Sequence, residues 1–329
     1  MARKSPTRLT RRWCLKTAAT AWLGSRLPSG STFASAPASR PSKTMTLGFS
    51  TYGSGSMPWP QALGYIADTG YDSVELAVLH DRDTAPENLD RNARQRLRDM
   101  LSRRALELTS FLDDLKETGD EEEHRANMER LKRAVELAHV LGSDAPPLIQ
   151  TIVGPGKWFE VRSKLRDRLG DWVELARSSQ TVIAIKPHRG HALSRPDEAI
   201  WLFGQLGHSP WLRMVFDYSH FDGRGMPLEQ ALKHSLPWTA HVAAKDVEFQ
   251  KDGKYRFVLP GQTGRIDYPK MLHILDTSGY RGDVCVEISS MVWRQKDYDA
   301  LATMKKCYAM LSRAFESARV RRTQRRSEQ

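Results

Sequence analysis

The chain has 329 residues, 40% of them hydrophobic and nine of them Trp, enough to bury the core of one large α/β domain. Its formal charge of +11 sits at the ends: residues 1–38 hold seven Lys or Arg and no acid, and residues 319–329 hold five Arg against one Glu. Taking these from totals of 50 basic and 39 acidic side chains leaves 38 of each between, a neutral body without the continuous positive field that nucleic-acid binding needs, and no apolar run reaches the roughly 18 residues of a membrane span.

The stretch Thr10-Arg11-Arg12-Trp13-Cys14-Leu15-Lys16 precedes a short, weakly apolar run, Thr17 to Leu23, and then a Ser/Pro/Ala segment. It resembles a twin-arginine export signal, with Cys14 where Phe is usual. The resemblance implies that the twin-arginine export machinery carries the folded chain to the periplasm. Ala34-Ser35-Ala36 and Ala36-Pro37-Ala38 are competing cleavage sites. The expected organisation is a signal and linker over 1–43, one domain over 44–318 and a disordered basic tail over 319–329. Cys14 leaves with the signal, which excludes a disulfide framework and makes Cys285 and Cys307 expected apolar fillers.

From Thr46 onward, apolar runs of four to seven residues alternate eight times with longer amphipathic stretches. This rhythm predicts a single (β/α)8 TIM barrel. Strands are expected at Thr46–Ser50, Ser73–Val78, Leu106–Leu112, Leu148–Val153, Val182–Lys186, Arg213–Asp217, Thr239–Ala243 and Asp283–Ile288, with helices between. The third helix, Glu121 to Leu141, sets Met128, Leu131, Val135 and Ala138 at helical spacing and meets Gly142 as its stop. After the seventh strand, Phe249, Asp252-Gly253 and Tyr255 to Leu259 read as a β-hairpin. Gly261-x-x-Gly264 lacks the Lys-Ser/Thr ending of a phosphate loop and reads as a turn.

Four of the expected strands carry a polar side chain with reach near their ends: Lys186, Asp217, His241 and Glu287. Strand alternation supports their convergence. With Lys186 inward, Ala184 and Val182 share its face, Val215 lies behind Asp217 and Cys285 behind Glu287, so small residues face a narrow interior.

These segments resemble the xylose-isomerase-like sugar isomerase and epimerase barrels, whose relatives include the endonuclease IV type. The resemblance covers roughly Thr46 to Ser312. It rests on GYDSVEL from Gly70, KPHRG from Lys186, FDYSH from Phe216, HVAAKD from His241, GQTGRIDY from Gly261 and GYRGDVCVEI from Gly279. It implies a divalent metal, Mn, Mg, Zn or Co, held by Asp217, His241 and Glu287, with His220 as the partner in D-x-x-H. The family's fifth-strand Glu is replaced here by Lys186. Three arrangements follow: a metal retained with water or His188 completing its shell, the Lys186 ammonium in the metal's space, or Lys186 as a base or Schiff-base nucleophile.

The expected activity is that of an exported sugar isomerase or epimerase, moving a proton next to a carbonyl of a keto sugar or polyol. Glu287, Lys186 and His188 are the expected catalytic residues, and His220, Arg189, Lys245, Arg265 and Glu75 the expected substrate contacts. Loss of one carboxylate makes Lys186 with Glu287 suit a sugar lyase or hydratase as the alternative. A catalytically inactive sugar-binding barrel is the third reading. A nuclease is disfavoured because Leu108 to Asp114 has no histidine and the body is neutral.

Overall fold

A computed structural model of the chain describes residues 44–142 and 145–323. The expected export signal and linker therefore lie outside the described residues. Barrel strands are β1 (Thr46–Ser50), β2 (Ser73–Ala77), β3 (Glu107–Leu112), β4 (Leu148–Thr151), β5 (Ile183–Ile185), β6 (Leu212–Phe216), β7 (Thr239–Ala244) and, after the hairpin of β8 (Asp246–Phe249) and β9 (Tyr255–Val258), β10 (Asp283–Val286). All eight barrel strands are parallel and close in the order β1-β10-β7-β6-β5-β4-β3-β2. The TIM barrel is thus the observed fold. Among the described residues, no helix is long and apolar enough to cross a membrane.

Local chemistry sets the helix starts. Asp90, Asp120 and Asp299 each accept a hydrogen bond from the backbone N–H three residues on, which satisfies one of the orphan donors of a first turn. Asp120 is followed by Glu121, Glu122 and Glu123, whose charges favour the positive end of the helix Glu121–Leu141.

The barrel interior is more polar than the branched-aliphatic filling usual in this architecture. Ala184, Val215 and Ala243 form a small apolar cluster inside the ring, apart from the main core, as the strand alternation predicts. Near its N-terminal end, Asp283 accepts hydrogen bonds from Thr46 (2.7 Å), Ser73 (2.6 Å) and Thr109 (3.0 Å). A Cβ at Gly48 would lie 2.5 Å from the Asp283 carboxylate, so only glycine lets β1 pass that group.

The C-terminal end departs from expectation. Arg322 bridges to Met45, Thr323 N donates to the Met45 carbonyl, and Val320 is buried. The described part of the expected loose tail is docked, because Arg322 pairs with the buried Asp72 carboxylate at 2.5 Å and donates to Tyr308 Oη at 2.8 Å. Removing one partner leaves a buried charge uncompensated. Arg322→Ala should lower the unfolding free energy by about 3 kcal/mol in urea denaturation; an unchanged midpoint would show that the tail contributes nothing.

Candidate functional site

Five barrel strands end one residue before an ionisable group; Asp113 after β3 pairs with Arg130, and the other four are Lys186 after Ile185, Asp217 after Phe216, Lys245 after Ala244 and Glu287 after Val286. The C-terminal ends of parallel strands surround one mouth, so these four side chains meet there. All are buried, with Lys245 only 2% exposed.

Lys245 Nζ stands between the two acids, 3.0 Å from Asp217 Oδ2 and 2.8 Å from Glu287 Oε1. The Lys186 ammonium donates to the other Glu287 oxygen, Oε2. Two cations and two anions therefore share one enclosed space. Burial alone would raise the Glu287 carboxyl, but Lys186 and Lys245 outweigh it and hold it at about 2. Burial likewise opposes the charge on Asp217, yet Lys245 and His220 keep its carboxyl well below the ordinary range. Burial disfavours the Lys245 ammonium, but its two carboxylates reverse this and raise it above the ordinary lysine value. Lys245 is a fixed cation here.

Three histidines line up beside this group. His188 packs between His191 and His220, with ring centroids 4.4 and 4.0 Å away. Nδ1 of His220 accepts from the Arg189 backbone N–H (3.1 Å), which leaves the ring proton on Nε2, 3.3 Å from Asp217 Oδ2. Burial pushes His220 down to about 4, so the ring is neutral at pH 7. His188 Nδ1 lies 2.9 Å from the Arg189 carbonyl and donates to it, which leaves its Nε2 as the proton-accepting nitrogen. Burial and the neighbouring cationic groups push His188 far below its usual range.

A cavity of about 190 Å³ opens on this cluster and is lined by Lys186, His188, Lys245 and Glu287. Drug-sized ligands occupy pockets of roughly 300 Å³ and above; this space suits a smaller molecule. The hairpin adds Tyr255 and Phe257 to the wall, and the loop after β10 adds Ser289 and Ser290. Gln150 also lines it, with Oε1 buried and without a hydrogen-bond partner.

The remaining expected contacts stand elsewhere. His220 lies behind His188 and does not line the cavity. Arg265 pairs with Asp222 at 2.6 Å, and Arg189 donates to the Asp222 carbonyl while its guanidinium covers Phe249 and Tyr255. Both arginines fasten the hairpin to the loop after β6. Glu75 is fully buried inside the ring, accepting from Ser110 (2.7 Å) and from Gln150 Nε2. Of the five expected substrate contacts, only Lys245 reaches the cavity wall.

The expected metal set is not gathered. Val215 pairs with His241 and Phe216 with Val242, after a register shift between Met214 and Val215. The β7 residue level with Asp217 is therefore Ala243, and His241 sits two residues, about 6.6 Å, further down the interior. There its Nε2 lies 3.4 Å from Glu75. Among the described residues, the acid, histidine and cysteine side chains whose ligand atoms all lie within 4.8 Å are Glu75, His241 and Cys285. Both ring nitrogens of His241 lack a hydrogen-bond partner, and burial lowers it to about 4. At the mouth, the gap between Asp217 and Glu287 is filled by an ammonium, and the donor set does not fit a divalent ion.

Glu287 titrates near 2 in the folded chain against an ordinary 4.5. A carboxyl depressed by folding contributes stability that is complete above its unfolded value and lost as pH falls toward the folded one. The difference in unfolding free energy between wild type and Glu287→Gln should therefore narrow as pH drops from about 5 to about 3, measured by urea titration at each pH. A difference constant over that window would mean the lysines do not hold the carboxylate.

The model of the xylose isomerase-like TIM barrel family matches residues 63–307. No curated protein matches the chain. The 3-keto-D-glucoside 4-epimerase of E. coli superposes with a TM-score of 0.63 at 17% identity, covering 82% of this chain and 100% of that one. A xylose isomerase-like TIM barrel protein from Mycobacterium smegmatis, in complex with magnesium, gives 0.63 at 16% identity, with coverage of 84% and 98%. A fusion of a xylose isomerase-like TIM barrel with 4-hydroxyphenylpyruvate dioxygenase gives 0.65 at 18%; the match takes in 84% of this chain and 43% of that longer one. At such identities the likeness establishes the fold, and with the family match over most of its length the chain belongs to the xylose isomerase-like TIM barrels.

Proposed function

We propose that the chain is a sugar isomerase or epimerase-like enzyme that moves a proton at the carbon beside the carbonyl of a small keto sugar or related polyol. The observation that carries this reading is the meeting of Lys186 and Lys245 on one carboxylate, Glu287, in the wall of a small cavity. The epimerase named above acts on a keto sugar, which supports the substrate class by analogy within the family.

In this reading the substrate carbonyl oxygen takes the Lys186 ammonium as its hydrogen-bond donor. The carbonyl is thereby polarised, and the enolate that forms on loss of the neighbouring proton is stabilised by a fixed positive charge. Drawing Lys186 away from Glu287 also removes part of the field that holds its carboxyl near 2, which strengthens it as a base. The C–H proton passes to Glu287, and the electron pair to the carbonyl oxygen. Gln150 Oε1 accepts from a substrate hydroxyl, and the neutral His188 offers Nε2 as a hydrogen-bond acceptor at the cavity wall.

Glu287 after β10 and Lys186 after β5 face this cavity as an unlike pair in place of two acids, with Asp113 and Asp114 after β3 also in its wall. Two-base epimerisation needs acids on opposite faces; a single base favours isomerisation or β-elimination of water on one face. The lyase or hydratase reading rests on that asymmetry.

The test is deuterium incorporation beside the carbonyl, followed by proton NMR in D2O over a panel of keto sugars. Wild type should exchange at least one of them, and Glu287→Gln should slow the exchange by about 10²–10⁴ while leaving the circular dichroism spectrum unchanged. Absence of exchange across the panel would leave a sugar-binding barrel without this chemistry.

We also propose that the chain is exported to the periplasm through its twin-arginine segment. Replacing both arginines, Arg11→Lys with Arg12→Lys, should retain the protein in the cytoplasm on cell fractionation. Unchanged distribution would remove the segment from export.

A further inference from the structure

The family resemblance implies a divalent cation between Asp217 and Glu287, and one structurally similar protein was solved in complex with magnesium. We infer that in this chain the position between Asp217 and Glu287 belongs permanently to the Lys245 ammonium, and that no divalent metal binds there. The inference rests on the placement of the side chains and not on which reaction the cavity performs.

Three independent features lead to it. Lys245 Nζ bridges one oxygen of each acid, 3.0 Å from Asp217 and 2.8 Å from Glu287, while Lys186 takes the other Glu287 oxygen. A metal between them would have to displace one ammonium and sit beside the second. Next, the β5 position that would supply an acid is Lys186, and the β7 position level with Asp217 is Ala243, whose methyl group has no donor atom. Half of a four-ligand shell is therefore missing in the covalent structure, however the side chains turn. Finally, Lys245 is built in rather than draped. Tyr268 Oη donates to its carbonyl at 3.0 Å, the Glu287 backbone N–H donates to the preceding carbonyl of Ala244, and the face of Phe257 lies 4.5 Å from Nζ. That aromatic face belongs to the hairpin and closes the ammonium off from solvent while favouring its charge.

Such a substitution trades a Lewis acid for a hydrogen-bond donor of fixed charge. A metal offers several coordination positions that bind two substrate oxygens at once; the Lys245 ammonium is already surrounded by Asp217, Glu287, His220 Nε2 at 3.2 Å and the face of Phe257, which leaves Lys186 as the donor for a substrate oxygen.

The deciding experiment is metal uptake, which needs no substrate. Full-length protein, freed of metal by chelator and dialysis, is titrated with Mn(II) followed by the electron paramagnetic resonance of free Mn(II), and with Zn(II) followed by elemental analysis after desalting. Wild type should leave the Mn(II) signal undiminished. The variant carrying Lys186→Glu, Ala243→His and Lys245→Met restores the missing ligands and removes the bridge, and should take up one equivalent if it folds. Should it not fold, wild type, Asp217→Asn and Cys285→Ala decide the matter. Uptake by wild type that is lost in Asp217→Asn and kept in Cys285→Ala would overturn the inference. Zn(II) uptake lost in Cys285→Ala and kept in Asp217→Asn would place the ion on Glu75, His241 and Cys285, deeper in the barrel, and uphold it. Failure of the exchange experiment above leaves every one of these outcomes readable.

Discussion

Four charges sealed in one barrel mouth must neutralise one another, and the rest of the site is arranged around that requirement. Two unit charges 2.8 Å apart attract by about 6 kcal/mol at an effective dielectric of about 20, while each ion gives up several kcal/mol of hydration on burial. The sum is favourable only when every member has its partners. Lys245 meets this condition by touching both acids, and Lys186 by taking the oxygen that Lys245 leaves. Remove one and another is stranded, which is why the four behave as a unit.

The fold supplies the scaffold for that unit through backbone pairing that does not depend on the charges. Eight strands in register bring the residue after each of β5, β6, β7 and β10 to the same rim. Beside and below them, Ala184, Val215 and Ala243 keep the interior narrow, and a deeper polar tier is organised by Glu75 and Asp283. Above them, the β8–β9 hairpin folds Phe257 over Lys245 and His220, with ring centroids of Phe257 and His220 4.7 Å apart. Arg189 and Arg265 matter to the site indirectly, by holding that hairpin to the loop after β6. The chemistry sits between a rigid ring and a pinned lid.

Much of this was legible in the amino-acid sequence. The alternation of apolar runs located all eight strands and the hairpin, and strand parity correctly put Ala184, Val215 and Cys285 inside the barrel. The same parity applied to β7 would have placed Lys245 on the face of His241 and Ala243, pointing it at the acids. What periodicity lacks is relative height. The register shift between Met214 and Val215 moves β7 by one residue against β6, so His241 falls a tier below Asp217 and joins Glu75 and Cys285 instead. A bulge of this kind arises from the packing of neighbouring strands and leaves no composition signal. Gln150, Ser289 and Ser290 were missed because short polar residues at strand ends look alike in any barrel. The docking of Arg322 on Asp72 was missed because a basic terminal run resembles a solvated tail.

The ammonium bridge is tested most directly by a crystal structure of the chain grown with excess Mn(II), using the anomalous signal of manganese to locate the ion. The bridge predicts Lys245 Nζ density between Asp217 and Glu287 and no anomalous peak there. A manganese peak bound to both carboxylates, with the Lys245 side chain turned away, would contradict it.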